Sequence, residues 1–165
     1  MHIEVLEEID VKPILQEANS IKLMLNKGWT KVGQIGLQST KEENNWSKEW
    51  DQSTSDRSER PKFAETYYKY PLFDTPNINR MMEKYDMKRT RIMVSHAKSN
   101  LTFHRDLTKR IHIPLFTNEN CVMIIEDTVY RLEVGKVYLT NTTLLHTAVN
   151  GSWNARAHIV GAVYS

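Results

Sequence analysis

The chain of 165 residues has one cysteine, no long apolar run and little excess of either charge. A single Cys121 excludes an internal disulfide framework and fits a reducing compartment. It sits in the run Cys121-Val122-Met123-Ile124-Ile125, which marks it as a core residue rather than a nucleophile. No apolar stretch approaches the roughly 20 residues that a membrane span needs. The N-terminus, Met1-His2-Ile3-Glu4, has no basic region leading into an apolar one, so no signal peptide is expected. Twenty-two Lys and Arg against 20 Asp and Glu leave a formal charge of +2, and no basic cluster is interleaved with aromatics. That argues against nucleic acid as a partner. A cytoplasmic location is expected, with no membrane association. Nothing repeats, and the chain stops just after its last apolar run, so no further C-terminal domain is expected.

What is present fits one domain spanning 1–165, large enough to bury roughly 70% of its unfolded surface. Residues 3–6 suit a short strand. Pro13, Ile14, Leu15 and Ala18 suit a helix with proline in its first turn. Residues 29–37 read as a strand interrupted by Gly33 and Gly36. From 38 to 61 the composition turns polar, with Trp46 and Trp50 as its apolar anchors, and a mobile loop forming part of a substrate lid is expected. Asp74-Thr75-Pro76 opens a helix whose Ile78, Met81, Met82 and Tyr85 share one face. The first 90 residues are therefore a helical and loop-rich part.

After Asp86 the texture becomes that of strands: 91–95, 101–106, 109–115, 121–125, 129–134, 137–139, 144–149 and 156–164. Segment 109–115 alternates strictly, with Arg110 and His112 on one face and Ile111, Ile113 and Leu115 on the other. Short strands at this spacing imply a mainly β sandwich or barrel.

The chemistry-bearing residues lie in the same stretch. His104 and Asp106 are two apart and would leave one face of a strand. His146 follows 40 residues after Asp106, and Arg156 ten residues after that. Two imidazoles and one carboxylate form the facial set of non-haem Fe(II) oxygenases, which keeps coordination positions open. The planar fork of Arg156 suits a carboxylate. Asn150-Gly151 reads as a turn folding the strands of His146 and Arg156 together. His158 and His96 are read as ordinary structural histidines. Arg110 can be an outward cation on an edge strand, and His112 a satisfied inner histidine.

Residues 91–164 resemble the aspartyl/asparaginyl β-hydroxylase-like family of 2-oxoglutarate- and Fe(II)-dependent dioxygenases. The resemblance rests on His104-Arg105-Asp106, Lys109–Leu115, Val134-Gly135-Lys136-Val137, His146 and Arg156-Ala157-His158-Ile159-Val160. It implies a double-stranded β-helix of the jelly-roll, cupin-like type with a few helices on one side. It implies Fe(II) on His104, Asp106 and His146, with 2-oxoglutarate and O₂ as co-substrates. Arg156 would pair with the distal carboxylate of 2-oxoglutarate. Arg110 and His112 match positions facing the co-substrate or the substrate. A family serine that helps hold the distal carboxylate falls at Met93, and Ser95 on the same strand face is expected to substitute. Animal aspartyl hydroxylases of the family have Gly where this chain has Asp106. The closer likeness is to members with a complete triad, which include hydroxylases of free proline. The expected activity is hydroxylation of an amino acid or a peptide or protein residue. A cupin-like module that binds metal or ligand without turnover is the competing expectation.

Overall fold

A computed structural model describes residues 1–30, 33–55 and 61–164. Two antiparallel sheets face each other. The larger has six strands: β1 (Ile3–Glu8), β2 (Gln34–Gly36), β5 (Lys88–Ser95), β7 (Lys109–Phe116), β10 (Lys136–Thr140) and β12 (Arg156–Val163), in the order β1-β10-β7-β12-β5-β2. The smaller has four: β6 (Ser99–Asn100), β8 (Cys121–Ile125), β9 (Thr128–Tyr130) and β11 (His146–Asn150), in the order β6-β11-β8-β9. A short ribbon pairs β3 (Gln38–Ser39) with β4 (Tyr70–Pro71). After β7 the chain enters the small sheet as the β8–β9 hairpin, and β10, β11 and β12 then alternate between the two sheets, which is the jelly-roll way of closing a β structure.

Helix α3 (Pro76–Lys84) opens on a proline and helix α1 (Lys12–Met24) has Pro13 as its second residue; the missing N–H costs nothing in a first turn. The Glu17 carboxylate of α1 accepts from the backbone N–H of Asn77 and Ile78 at 3.0 and 2.8 Å, so one helix satisfies the open N-terminus of the other. Ile14, Ala18 and Ile21 of α1 and Ile78, Met81 and Met82 of α3 bury their faces in one core with Ile92, Ile111, Ile113, Leu115, Ala157 and Ile159. That core lies between the helices and one face of the large sheet. Period-two alternation then sends Arg110, His112, Arg156 and His158 to the opposite face, toward the small sheet.

Several boundaries depart from the sequence reading. The stretch 38–61 holds β3 and a short helix α2 (Trp46–Glu49) rather than one continuous loop. Its buried polar groups satisfy each other: Glu49 accepts from the Ser39 hydroxyl at 2.6 Å and from the Asn45 N–H at 2.7 Å. Trp46 packs on Phe73 with ring centroids 5.9 Å apart, and Trp50 also packs on the core. The central part of the expected lid, 56–60, lies outside the described residues. The strand expected at 29–37 is confined to β2, and positions 31 and 32 are likewise outside the described residues. Gly36 is required for space, because a Cβ there would lie 2.3 Å from Ser53 Oγ and 2.6 Å from the Trp50 carbonyl oxygen. Asn150-Gly151 does not close a hairpin. β11 and β12 belong to different sheets, so the turn carries the chain across the sandwich. Among the described residues no helix is long and apolar enough to cross a membrane.

Candidate metal centre

The segment carrying His104 and Asp106 is not a strand of its own but is zipped against β11 and the turn before it. Leu101 N–H donates to Ala148 O at 3.0 Å, and Asp106 N–H donates to Thr142 O at 2.9 Å. Between them His104 and His146 form an isolated antiparallel bridge. The pairing draws the two imidazoles together, with ring centroids 4.4 Å apart.

Each imidazole is oriented by a backbone carbonyl two residues upstream. His104 Nδ1 lies 2.7 Å from Thr102 O and His146 Nδ1 lies 2.9 Å from Leu144 O. A carbonyl only accepts, so Nδ1 carries a proton in both rings and Nε2 is the nitrogen left for coordination. Both Nε2 atoms face Asp106: His104 Nε2 is 3.7 Å from Oδ1 and His146 Nε2 is 3.5 Å from Oδ2. One ligand atom from each of the three residues lies within 4.8 Å of the others. Burial pushes the His146 imidazole down in pKa, toward the neutral form that binds a metal. Two imidazole Nε2 atoms and a carboxylate oxygen, with both rings oriented by backbone carbonyls, fit a divalent transition metal.

The three residues open into a cavity of about 440 Å³ between the sheets. Four guanidinium groups line it, from Arg89, Arg91, Arg110 and Arg156. Arg110 is committed on two sides. Its Nε lies 3.4 Å from Asp106 Oδ2, while Nη1 and Nη2 each lie 3.0 Å from the Glu65 carboxylate. Arg89 Nη1 is 3.2 Å from the same carboxylate. Burial alone would push the Glu65 carboxyl up, but the charges and hydrogen bonds of Arg110 and Arg89 outweigh it and hold it below the usual carboxylate range.

At the other side of the cavity, Arg156 Nη1 sits 2.8 Å from His158 Nδ1, and His158 Nδ1 sits 3.0 Å from His112 Nδ1. Burial, aided by the Arg156 charge, pushes His112 down to about 3 and His158 well below its ordinary value. Both imidazoles are therefore neutral near pH 7. Burial lowers Arg156 to about 10, which still leaves it cationic. Its Nε is buried with no hydrogen-bond partner among the described residues.

His104, Asp106, His146, Arg110, His112 and Arg156 thus all border one cavity. Ser95 does not line it. Its hydroxyl lies 3.5 Å from Ser99 Oγ, and the residue of that face which reaches the cavity is Met93. Glu65, Arg89 and Arg91 were not expected at the site from sequence, and His158, expected to be an ordinary structural histidine, meets Arg156 there. For two of them a signal existed: Arg91 and Met93 alternate in β5, as Arg156 and His158 do in β12, and β5 pairs with β12. For Glu65, in a 3₁₀ turn at Glu65–Tyr67 far from the motif, no local signal existed.

Two solved structures, each with a TM-score of 0.52, support the fold. A non-haem monooxygenase, ThoJ, in a nickel complex is 11% identical, with 97% of this chain and 72% of that chain covered and a TM-score of 0.52. AviO1 from Streptomyces viridochromogenes Tue57 is also 11% identical, with 98% and 89% covered and a TM-score of 0.52. A 2OG-Fe(II) oxygenase family oxidoreductase from Burkholderia pseudomallei is 17% identical, with 46% and 43% covered and a TM-score of 0.42. The match thus spans under half of that oxidoreductase's length. No curated protein sequence matches. The sequence pattern of aspartyl/asparaginyl beta-hydroxylase matches residues 8–164. That match takes in nearly the whole chain, helices and both sheets included, and the protein is a member of the aspartyl/asparaginyl β-hydroxylase family of oxygenases.

Proposed function

We propose that this protein is a 2-oxoglutarate- and Fe(II)-dependent dioxygenase that hydroxylates an amino acid or a residue of a peptide or protein. The observation that carries the reading is that a metal-ready His104, Asp106 and His146 set and the Arg156 fork open into one cavity. His104, Asp106 and His146 would hold Fe(II) through two Nε2 atoms and a carboxylate oxygen. Bound iron with 2-oxoglutarate and O₂ would supply the oxidation, one oxygen atom going to substrate as hydroxyl and the other to succinate with release of CO₂.

The chain's own residues bind, orient and exclude water. Thr102 O and Leu144 O fix the ligand tautomers. Arg110, engaged by Glu65 and by Asp106, acts as a positioning residue that aims the Asp106 carboxylate, rather than as a free anchor for co-substrate. Arg156 pairs with the distal carboxylate of 2-oxoglutarate. His158, itself met by His112, holds its guanidinium, and the two neutral imidazoles add no charge. No nucleic acid or membrane partner is proposed, and a cytoplasmic setting suits the lone buried Cys121.

The test is anaerobic loading with Fe(II) and 2-oxoglutarate, then admission of O₂ with a panel of free amino acids and peptides. Succinate in step with a hydroxylated product is expected. No 2-oxoglutarate binding, and no succinate above the substrate-free rate with any panel member, would overturn the reading.

A further inference from the structure

Arg110 stands between two carboxylates that bind it unequally. Glu65 takes it in a two-pronged contact, with Oε1 3.0 Å from Nη1 and Oε2 3.0 Å from Nη2. Nη1 also donates to Thr108 Oγ1 at 2.7 Å. Nε is left for Asp106 and lies 3.4 Å from Oδ2, within ion-pair reach but longer than an ordinary N–H···O bond. The stronger partner of this guanidinium is thus Glu65, and the weaker one belongs to the metal-ready set. The Arg110 side chain is 8% exposed, so little water screens the competition between the two.

Glu65 is itself held from behind. The β5–β12 pairing shifts register between Val160 and Ala162, and Arg89, opposite that shift, has a φ of +48°. A bulge re-aims a side chain, and a non-glycine residue in the left-handed region persists where its surroundings over-determine it. The Arg89 guanidinium is over-determined in that sense. Nε donates to Ser53 O at 2.8 Å, Nη2 to Ser55 Oγ at 2.8 Å, and Nη1 to Glu65 Oε2 at 3.2 Å. Glu65 Oε2 therefore lies between two guanidiniums, one that fixes it and one that it fixes.

Resting on the reading of His104, Asp106 and His146 as metal ligands, we infer that Glu65 is a positioning residue of the metal centre: it occupies both Nη groups of Arg110 and so leaves the Asp106 carboxylate to the metal. A guanidinium fork set free beside a carboxylate forms two parallel, charge-assisted bonds with it. Such a contact with Asp106 would take up the oxygens that coordination needs. With its Nη groups on Glu65, Arg110 offers Asp106 one N–H edge, which orients the carboxylate without neutralising both oxygens. Among the described residues Glu65 has no contact with the three ligands, so its influence on the metal runs through Arg110.

The test titrates the full chain with Co(II) under anaerobic conditions and reads affinity from the visible bands of the bound ion, with Zn(II) as competitor and a far-UV spectrum for folding. Glu65→Gln keeps the shape of the side chain and removes its charge. It should weaken Co(II) by roughly 10- to 100-fold, the range for losing an outer partner of a metal ligand. In an Arg110→Gln background the same substitution should change Co(II) affinity by less than about twofold, because the guanidinium that Glu65 restrains is gone. A residue that only braces its 3₁₀ turn would weaken Co(II) equally in both backgrounds. Glu65→Asp, with its charge kept and drawn back by one methylene, should lose less than Glu65→Gln. Wild-type Co(II) affinity in Glu65→Gln, or the same loss with and without Arg110, overturns the proposal. If Glu65→Gln does not fold, Glu65→Asp decides in the same two backgrounds: a loss that vanishes with Arg110→Gln supports the proposal, and no loss or an equal loss overturns it. Wild-type protein that binds neither Co(II) nor Zn(II) takes down the metal centre itself, whereas binding that ignores Glu65 sinks this inference alone.

Discussion

His104 and His146 exchange backbone hydrogen bonds in both directions, at 3.0 and 2.9 Å, although only His146 belongs to a strand. The metal-ready geometry is thus a property of the main chain before it is one of the side chains. A hydrogen-bonded antiparallel pair fixes the Cα separation near 5.5 Å, and that sets how closely the two imidazoles approach.

This makes the ligand substitutions separable from folding. His146→Ala and His104→Ala leave the paired backbone groups in place, so each should fold. Iron content should fall from one per chain toward zero. Metal analysis beside a far-UV spectrum checks it, and undiminished iron in either variant would remove that histidine from the site.

Arg156→Ala should keep the metal and lose the co-substrate. Truncating one side of a mostly desolvated ion pair costs on the order of 2–5 kcal/mol, or roughly 30- to several-thousand-fold in 2-oxoglutarate affinity. Arg156→Lys should rescue only in part, since an ammonium lacks the planar fork. A 2-oxoglutarate titration of the metal-loaded variants measures this. Wild-type affinity in Arg156→Ala would favour a cupin-like binding module over an oxygenase.

The buried imidazoles predict acid sensitivity. His112, pushed down to about 3, stays neutral in the folded protein, whereas it takes up a proton near its ordinary value of 6.5 once unfolded. Below 6.5 the unfolded state therefore binds more protons, so stability is intact above that pH and falls as pH drops toward 3. The slope from one such group is on the order of 1 kcal/mol per pH unit, and His158 adds to it in the same direction. Denaturant midpoints measured from pH 7.5 to 4.5 should show this decline, and His112→Gln should flatten it. An unchanged slope in the variant would assign the acid sensitivity elsewhere.

Gly36→Ala should destabilise the protein by about 1–3 kcal/mol. The new methyl group would meet a backbone carbonyl as well as a side chain, and the carbonyl cannot swing aside. A denaturation midpoint equal to wild type would show that the 50–53 segment yields freely.

The parts of this molecule legible in the sequence are those written in short-range periodicity. The alternation of 109–115 separates core from cavity as Ile111, Ile113 and Leu115 against Arg110 and His112, and the i, i+3, i+4 pattern of Ile78, Met81 and Met82 marks α3. The set of His104, Asp106 and His146 is legible from residue type and strand spacing, two imidazoles and a carboxylate followed by an arginine, and the family resemblance adds to that reading. Glu65 was not legible at all. Its role depends on a 3₁₀ turn meeting Arg89 and Arg110, 24 and 45 residues later, and no local pattern encodes such a meeting. The hairpin expected at Asn150-Gly151 failed for a related reason. A turn signal says that the chain reverses, but not whether it reverses within a sheet or across to the other one.

The division of β7 and β12 into an apolar face packed under the helices and a charged face toward the cavity bears on how such a protein can diverge. Deleting one residue inside β12 would exchange the two faces beyond the deletion point. The His158 imidazole would then enter the oily layer, and Ile159 would enter the cavity. Replacing side chains on the charged face leaves the other face untouched. Lineages descended from this chain should therefore acquire new substrates through point substitutions in these strands, and confine insertions and deletions to the connections between them.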